Sequence, residues 1–223
     1  MFIEVEGGSR AAGELTIQGA KNAVLPMIAA TVLCRETIVL EGCPKIQDVY
    51  AMSAILREMG ASVEWEDDKL VIDTASVNQF EISQKEAGEL RASILFLGSM
   101  LGRNKEAGIC LPGGCLIGAR PIDFHIRAFE QLGASASQEG EMVCCKVEHA
   151  GDEIVTLPYP SVGATENIIL YAVLRNGMTE IHNAAKEPEI VALCEFLREA
   201  GAVIEGIGGS VLIIQGGHKL HGI

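Results

Sequence analysis

The residues that could do chemistry together lie between Leu111 and Asp123, where Pro112-Gly113-Gly114-Cys115 is followed by Gly118-Ala119-Arg120-Pro121-Ile122-Asp123. Glycine lets a backbone reach positive φ and approach a ligand closely. A thiol in such a loop, beside a fixed positive charge, can be activated as an acid or a nucleophile. A surface hairpin carrying an incidental cysteine is the plainer reading of the same residues.

Three further stretches place polar residues where a helix should begin. Gly19-Ala20-Lys21-Asn22 opens one apolar helical run, Leu90-Arg91-Ala92-Ser93 a second, and Ser161-Val162-Gly163-Ala164-Thr165-Glu166-Asn167 a third. Backbone N–H groups and the helix dipole favour an anion at such an end. Lys21 there suits an anion or is simply solvated. Arg91 opposes the dipole, so it either binds a phosphate or is an ordinary surface residue. Ser161 or Thr165 suits a polar ligand or merely caps the helix. Together Lys21, Arg91 and Arg120 fit one anion-binding cleft.

The elements that must position these residues repeat. Leu56-Arg57-Glu58-Met59-Gly60-Ala61, Phe129-Glu130-Gln131-Leu132-Gly133-Ala134 and Leu197-Arg198-Glu199-Ala200-Gly201-Ala202 end three helical patterns in almost the same words. Gly60, Gly133 and Gly201 stand 73 and 68 residues apart, as a repeated helix C-cap would. Each unit holds an apolar helix (Ala23 to Leu33, Ala92 to Leu101, Glu166 to Leu174), a strand, a proline-containing loop, an amphipathic helix and two closing strands. The apolar helices belong in the middle of a shared core. Phe2 to Val5 and Leu15 to Ile17 read as two further strands, and Gly216 to Ile223, just after the third unit, reads as a domain boundary.

Composition excludes several classes. The net charge is −13, which opposes unspecific nucleic-acid binding but leaves room for an anionic small ligand in a locally basic cleft. The seven cysteines are odd in number, none is in CxxC spacing, and no signal peptide precedes them, which fits a reducing cytoplasm and argues against zinc. The five histidines, His125 among them, lack metal-ligand spacing. Glu187 and Glu189 flank Pro188 as a possible carboxylate pair, or serve the dipole of the helix they enter. No apolar run reaches the roughly 18 residues of a membrane span. No Walker or dinucleotide-binding glycine motif is present.

In these four stretches and in its threefold repeat the chain closely resembles the UDP-N-acetylglucosamine 1-carboxyvinyltransferases, enolpyruvyl transferases of the first committed step of peptidoglycan synthesis. The resemblance runs from the N-terminus to about Gly222. It implies an α/β fold: an inside-out α/β barrel domain of three β-α-β-α-β-β repeats with helices in the core. It also implies a second domain absent from these residues, to which residues 1–20 would belong, leaving 21–223 as one three-repeat domain. The implied reaction moves the enolpyruvyl group of phosphoenolpyruvate to the 3-hydroxyl of UDP-N-acetylglucosamine, with release of phosphate and no cofactor. Cys115 would protonate the methylene carbon and would be the residue alkylated by fosfomycin, a covalent inhibitor. Lys21 and Asn22 would bind phosphoenolpyruvate and Arg120 its phosphate. Arg91, the run Arg120, Pro121, Ile122, Asp123 and Phe124, and the run Tyr159, Pro160, Ser161, Val162 and Gly163 would hold the UDP-sugar. The family's second domain supplies a catalytic aspartate and further arginines. A non-catalytic UDP-sugar-binding module of the same fold is the alternative, and the shikimate-pathway transferase a related enzyme that the Pro-Gly-Gly-Cys loop disfavours.

Overall fold

A computed structural model gives the architecture and describes residues 2–8, 10, 12–111 and 122–223. The three glycine caps order it. Gly60, Gly133 and Gly201 all adopt positive φ, at 102°, 82° and 105°, which a side chain would strain. Each ends an amphipathic helix: α2 (Gln47–Glu58), α5 (Asp123–Gln131) and α7 (Pro188–Glu199). Behind two of the caps Ala61 and Ala202 donate N–H back to Leu56 and Leu197 at 2.9 Å, closing the last turn.

Each unit also carries one apolar helix. α1 (Lys21–Ala30) runs into a 3-10 turn, α4 (Leu95–Asn104) follows one at Arg91–Ile94, and α6 (Val162–Ala172) starts directly. A short helix, α3 (Gln84–Ala87), precedes the second unit's apolar helix. Every residue of α4 from Leu95 to Leu101 and of α6 from Ala164 to Ala172 is buried, so these helices are central. Glycine brings α4 and α6 close together. A Cβ on Gly98 would sit 2.5 Å from the Asn167 carbonyl, and one on Gly102 3.2 Å from that of Leu170.

Three sheets surround the helices. The first has the order β1-β3-β2, from β1 (Ile38–Leu40), β2 (Ser62–Glu66) and β3 (Lys69–Asp73). The second has the order β4-β5-β7-β6, from β4 (Glu81–Ile82), β5 (Glu106–Cys110), β6 (Ala134–Glu139) and β7 (Met142–Val147). The third has the order β10-β11-β9-β8, from β8 (Glu153–Thr156), β9 (Met178–His182), β10 (Val203–Glu205) and β11 (Val211–Gln215). In the second and third, a parallel edge strand precedes the central helix, as β4 beside β5 and β8 beside β9. Alternate residues turn inward, for instance Ile38 and Leu40 on β1. The helices-inside plan expected from the repeat is therefore observed. Among the described residues its sheets are three separate ladders, not one closed barrel.

Two arginines at repeat-equivalent places tie the units to one another. Arg103, after α4, donates to the Val32 and Thr74 carbonyls at 2.9 and 2.8 Å. Arg175, after α6, donates to the Leu132 carbonyl at 3.1 Å.

One expectation is corrected. Phe2 to Val5 and Leu15 to Ile17 form no strand, and Phe2, Ile3, Val5, Leu15 and Ile17 are exposed. In the other two units a parallel strand fills the edge beside β5 or β9, and β1 has the equivalent edge. That edge is taken by the last residues of the chain: the Val39 N–H donates to the Ile223 carbonyl at 2.9 Å, and Gly222 N–H to the Glu36 carboxylate at 3.1 Å. Alternating hydrophobicity supplies strand propensity but no pairing partner, and an unpaired ribbon is not stable in water.

Candidate functional site

The central helices start at one end of the molecule, and there they border a cleft of about 940 Å³. Lys21 and Asn22 enter it from the first turn of α1, Arg91 from the turn before α4, and Tyr159 to Gly163 from the start of α6. Phe124 and His125 form a wall from α5. The structure thus gathers Lys21, Asn22, Arg91, Phe124, Tyr159, Pro160, Ser161, Val162 and Gly163, from all three units, around one space. Ile122 and Asp123 adjoin Phe124 at the head of α5 but do not line the cleft. Cys115, Arg120 and Pro121 lie outside the described residues.

Several cleft residues are held by their neighbours. Lys21 Nζ makes an ion pair of 2.9 Å with Asp48 of α2. Asn22 Nδ2 donates to Glu189 Oε1 of α7 at 3.3 Å. Ala20 provides no side-chain cap to α1, so the dipole end there is open to an anion. Ser161 does cap α6, accepting from the Ala164 N–H at 3.4 Å. Thr165 ties the same turn to the loop before α7: its Oγ1 donates to the Ser161 carbonyl at 2.8 Å and accepts from Ala185 N–H at 3.1 Å. Capping thus accounts for Ser161 and Thr165, while Val162 and Gly163 of the same first turn line the cleft.

Three polar side chains to which the sequence analysis gave no individual role shape the site. Glu166 lines the cleft although only 6% exposed. Burial, and then the carboxylates of Glu189 and Glu187, raise its carboxyl pKa to about 8. His125 is also 6% exposed; burial, and then the Arg91 charge, lower its pKa to about 4, with Asp123 opposing. Asn167, fully buried on α6, bonds to His125 Nδ1 at 2.8 Å, donates to the Ile94 carbonyl at 3.1 Å and accepts from Gly98 N–H at 2.8 Å. The spacing of Glu166 and Asn167 in an apolar helix was their available signal: two polar side chains where neighbours on every side are buried.

Three buried thiols among the described residues are unsuited to nucleophilic work. Burial raises Cys43 to about 11 and Cys145 and Cys194 to about 12, where a thiolate is scarce at neutral pH. A second depression, of about 760 Å³, crosses the outer face of the second sheet between Glu81, Glu106, Ser135 and Lys146. Lys146 there pairs with Glu106, and both side chains are 59% exposed. Among the described residues no helix is long and apolar enough to cross a membrane.

Comparison with known proteins gives the family. The chain is 43% identical over 220 residues to UDP-N-acetylglucosamine 1-carboxyvinyltransferase 2 of Caldanaerobacter subterraneus subsp. tengcongensis, covering 98% of this chain and 52% of that protein. It is 42% identical over 217 residues to UDP-N-acetylglucosamine 1-carboxyvinyltransferase of Mycobacterium bovis, covering 97% of this chain and 52% of the relative. The chain therefore spans about half the length of the curated relatives it matches. Among solved structures, the enolpyruvyl transferase NikO from Streptomyces tendae superposes with a TM-score of 0.82 at 20% identity, over 97% of this chain and 52% of that one. EPSP synthase from Acinetobacter baumannii gives 0.73 at 20% identity, over 95% and 49%. These two likenesses show the fold. The family profile described as EPSP synthase (3-phosphoshikimate 1-carboxyvinyltransferase) matches residues 5–223, and the chain belongs to that family.

Proposed function

We propose that this chain is the Cys115-bearing half of a UDP-N-acetylglucosamine enolpyruvyl transferase, with residues 21–223 as its domain and residues 1–20 belonging with the other half. The observation that supports it most is the convergence of Lys21, Asn22, Arg91 and the Tyr159 to Gly163 turn on one cleft, whose described lining also holds Asp48, Glu89, Glu166 and Glu187. Relatives at about 42% identity carry that activity in their names.

In this reading the open end of α1 with Lys21 and Asn22 holds phosphoenolpyruvate. The start of α6, with Arg91 and Phe124, holds the UDP-sugar. The Cys115 thiol gives its proton to the methylene carbon as the sugar 3-hydroxyl adds to the neighbouring carbon. The hydroxyl proton passes to a base, which the resemblance assigns to the other half. The carbon–oxygen bond to phosphate then breaks, the methyl carbon returns a proton, and phosphate leaves with the enol ether formed. Fixed positive charge from Lys21 and Arg120 stabilises the phosphate-bearing intermediate. Fosfomycin alkylates Cys115, and the setting is the cytoplasm, on the inner side of cell-wall synthesis.

The test is phosphate release from phosphoenolpyruvate plus UDP-N-acetylglucosamine. The 223-residue chain is assayed alone and with the separately made second half of the Caldanaerobacter relative. Turnover only in the mixture, lost in Cys115→Ser, is the expected result. Binding of UDP-N-acetylglucosamine without turnover in the mixture would instead identify a non-catalytic UDP-sugar module.

A further inference from the structure

We infer that His125 is a positioning residue of the cleft, its imidazole Nε2–H donating a hydrogen bond to a phosphoryl oxygen of a nucleoside diphosphate seated at the start of α6. The inference rests on the UDP-sugar reading above and adds to it a residue, an atom and a proton position.

The network fixes the proton. The Gly98 backbone N–H can only donate, so the Asn167 atom it meets at 2.8 Å is the amide oxygen. The other Asn167 atom is then NH2, and it donates to the Ile94 carbonyl at 3.1 Å. Its second hydrogen faces His125 Nδ1 at 2.8 Å, which must accept. A neutral imidazole that accepts at Nδ1 carries its hydrogen on Nε2. Among the described residues Nε2 has no hydrogen-bond partner, although the side chain is 94% buried. The part of the ring left open borders the cleft.

Its position suits an anion on α6. A Cβ on Gly163 would lie 3.3 Å from His125 Cε1 and 3.6 Å from Nε2, so that edge of the ring stands directly over the first turn of α6. The backbone N–H groups of that turn favour a phosphate. Of the charged groups around the ring, Arg91 also attracts an anion, and Asp123 lies behind at the head of α5. The Arg91 charge and burial both keep the ring neutral, so it serves as a directional donor and not as a charge. Gly163, by the same contact, is the residue that leaves room for the ring.

The experiment uses the 223-residue chain, ring-labelled histidine and UDP-N-acetylglucosamine as probe. Long-range nitrogen–proton spectra of the free protein should show His125 as the Nε2–H tautomer, and the ligand should move that resonance. His125→Asn keeps an acceptor for Asn167 but cannot reach the cleft, and should weaken binding on the order of tenfold, the worth of a hydrogen bond to a charged group. His125→Gln, whose amide reaches where Nε2 stood, should restore affinity to within about threefold. An Nδ1–H tautomer, or unchanged affinity in His125→Asn with an unmoved His125 resonance, overturns the inference. If Lys21, Arg91 and Ser161 to Gly163 respond while His125 does not, the UDP-sugar reading survives and this one fails. No response anywhere in the cleft removes both.

Discussion

The cleft at the helix starts and the depression on the second sheet are comparable in size, at about 940 and 760 Å³, but differ in how they treat polar groups. In the depression, Lys146 and Glu106 pair in water and are mostly exposed. Such pairs contribute little and commit the surface to nothing. In the cleft, Glu166 and His125 are drawn out of water and their protonation is altered by burial and by neighbours of fixed charge. Holding polar groups this way costs stability, and such groups cluster at functional sites. What sets the cleft apart is not its volume but its buried polar side chains, His125 on α5 and Glu166 and Asn167 on α6.

The sharpest way to break this contrast is Asn167→Ala. It leaves Gly98 N–H, the Ile94 carbonyl and His125 Nδ1 without their buried partner. At roughly 1–3 kcal/mol per orphaned group, the loss should be about 3 kcal/mol or more in urea denaturation. A loss under about 1 kcal/mol would mean the amide does not organise the wall.

Titration sharpens it next. The Glu166 carboxyl rises from 4.5 to about 8 on folding, so the folded state holds a proton that the unfolded state has released. Its contribution is complete below 4.5 and lost as pH rises toward 8. His125 falls from 6.5 to about 4, so its contribution is complete above 6.5 and lost as pH falls toward 4. The two slopes oppose each other between 4.5 and 6.5, leaving Glu166 alone above. Stability should decline by about 2 kcal/mol between pH 6.5 and 8, at most ~1.4 kcal/mol per unit. Glu166→Gln should flatten that decline; a decline unchanged in the variant would contradict the assignment.

Lys21→Ala removes the cation at the open end of α1 and frees Asp48 to repel. Calorimetry should show phosphoenolpyruvate binding about tenfold weaker. Lys146→Ala, in the depression, should change stability by less than about 0.5 kcal/mol and UDP-sugar binding not at all.

Much of the cleft's lining was legible because it is local. Lys21, Arg91 and Ser161 each stand at the start of an apolar run, and helix starts are written in a few adjacent residues. Gly60, Gly133 and Gly201 announced the repeat, and the repeat brought those starts together. His125 was not legible, since its role depends on Asn167, 42 residues away, and on the carbonyl of Ile94. Glu166 likewise gains its character from burial, and then from Glu189 and Glu187 at the start of α7. Leu15 to Ile17 misled for the converse reason: its alternation was local, but a strand needs a partner, and the edge beside β1 is held by Ile223. Cys115 and Arg120, on which the sequence reading turned, lie outside the described residues, so their part stands on resemblance.

The most direct test of the account is hydrogen–deuterium exchange of the 223-residue chain with and without UDP-N-acetylglucosamine. Protection should appear at the first turn of α1, at residues 90–95 and at residues 159–166, and be absent from β6 and β7. Protection confined to the outer face of the second sheet, or none at the three helix starts, would contradict it.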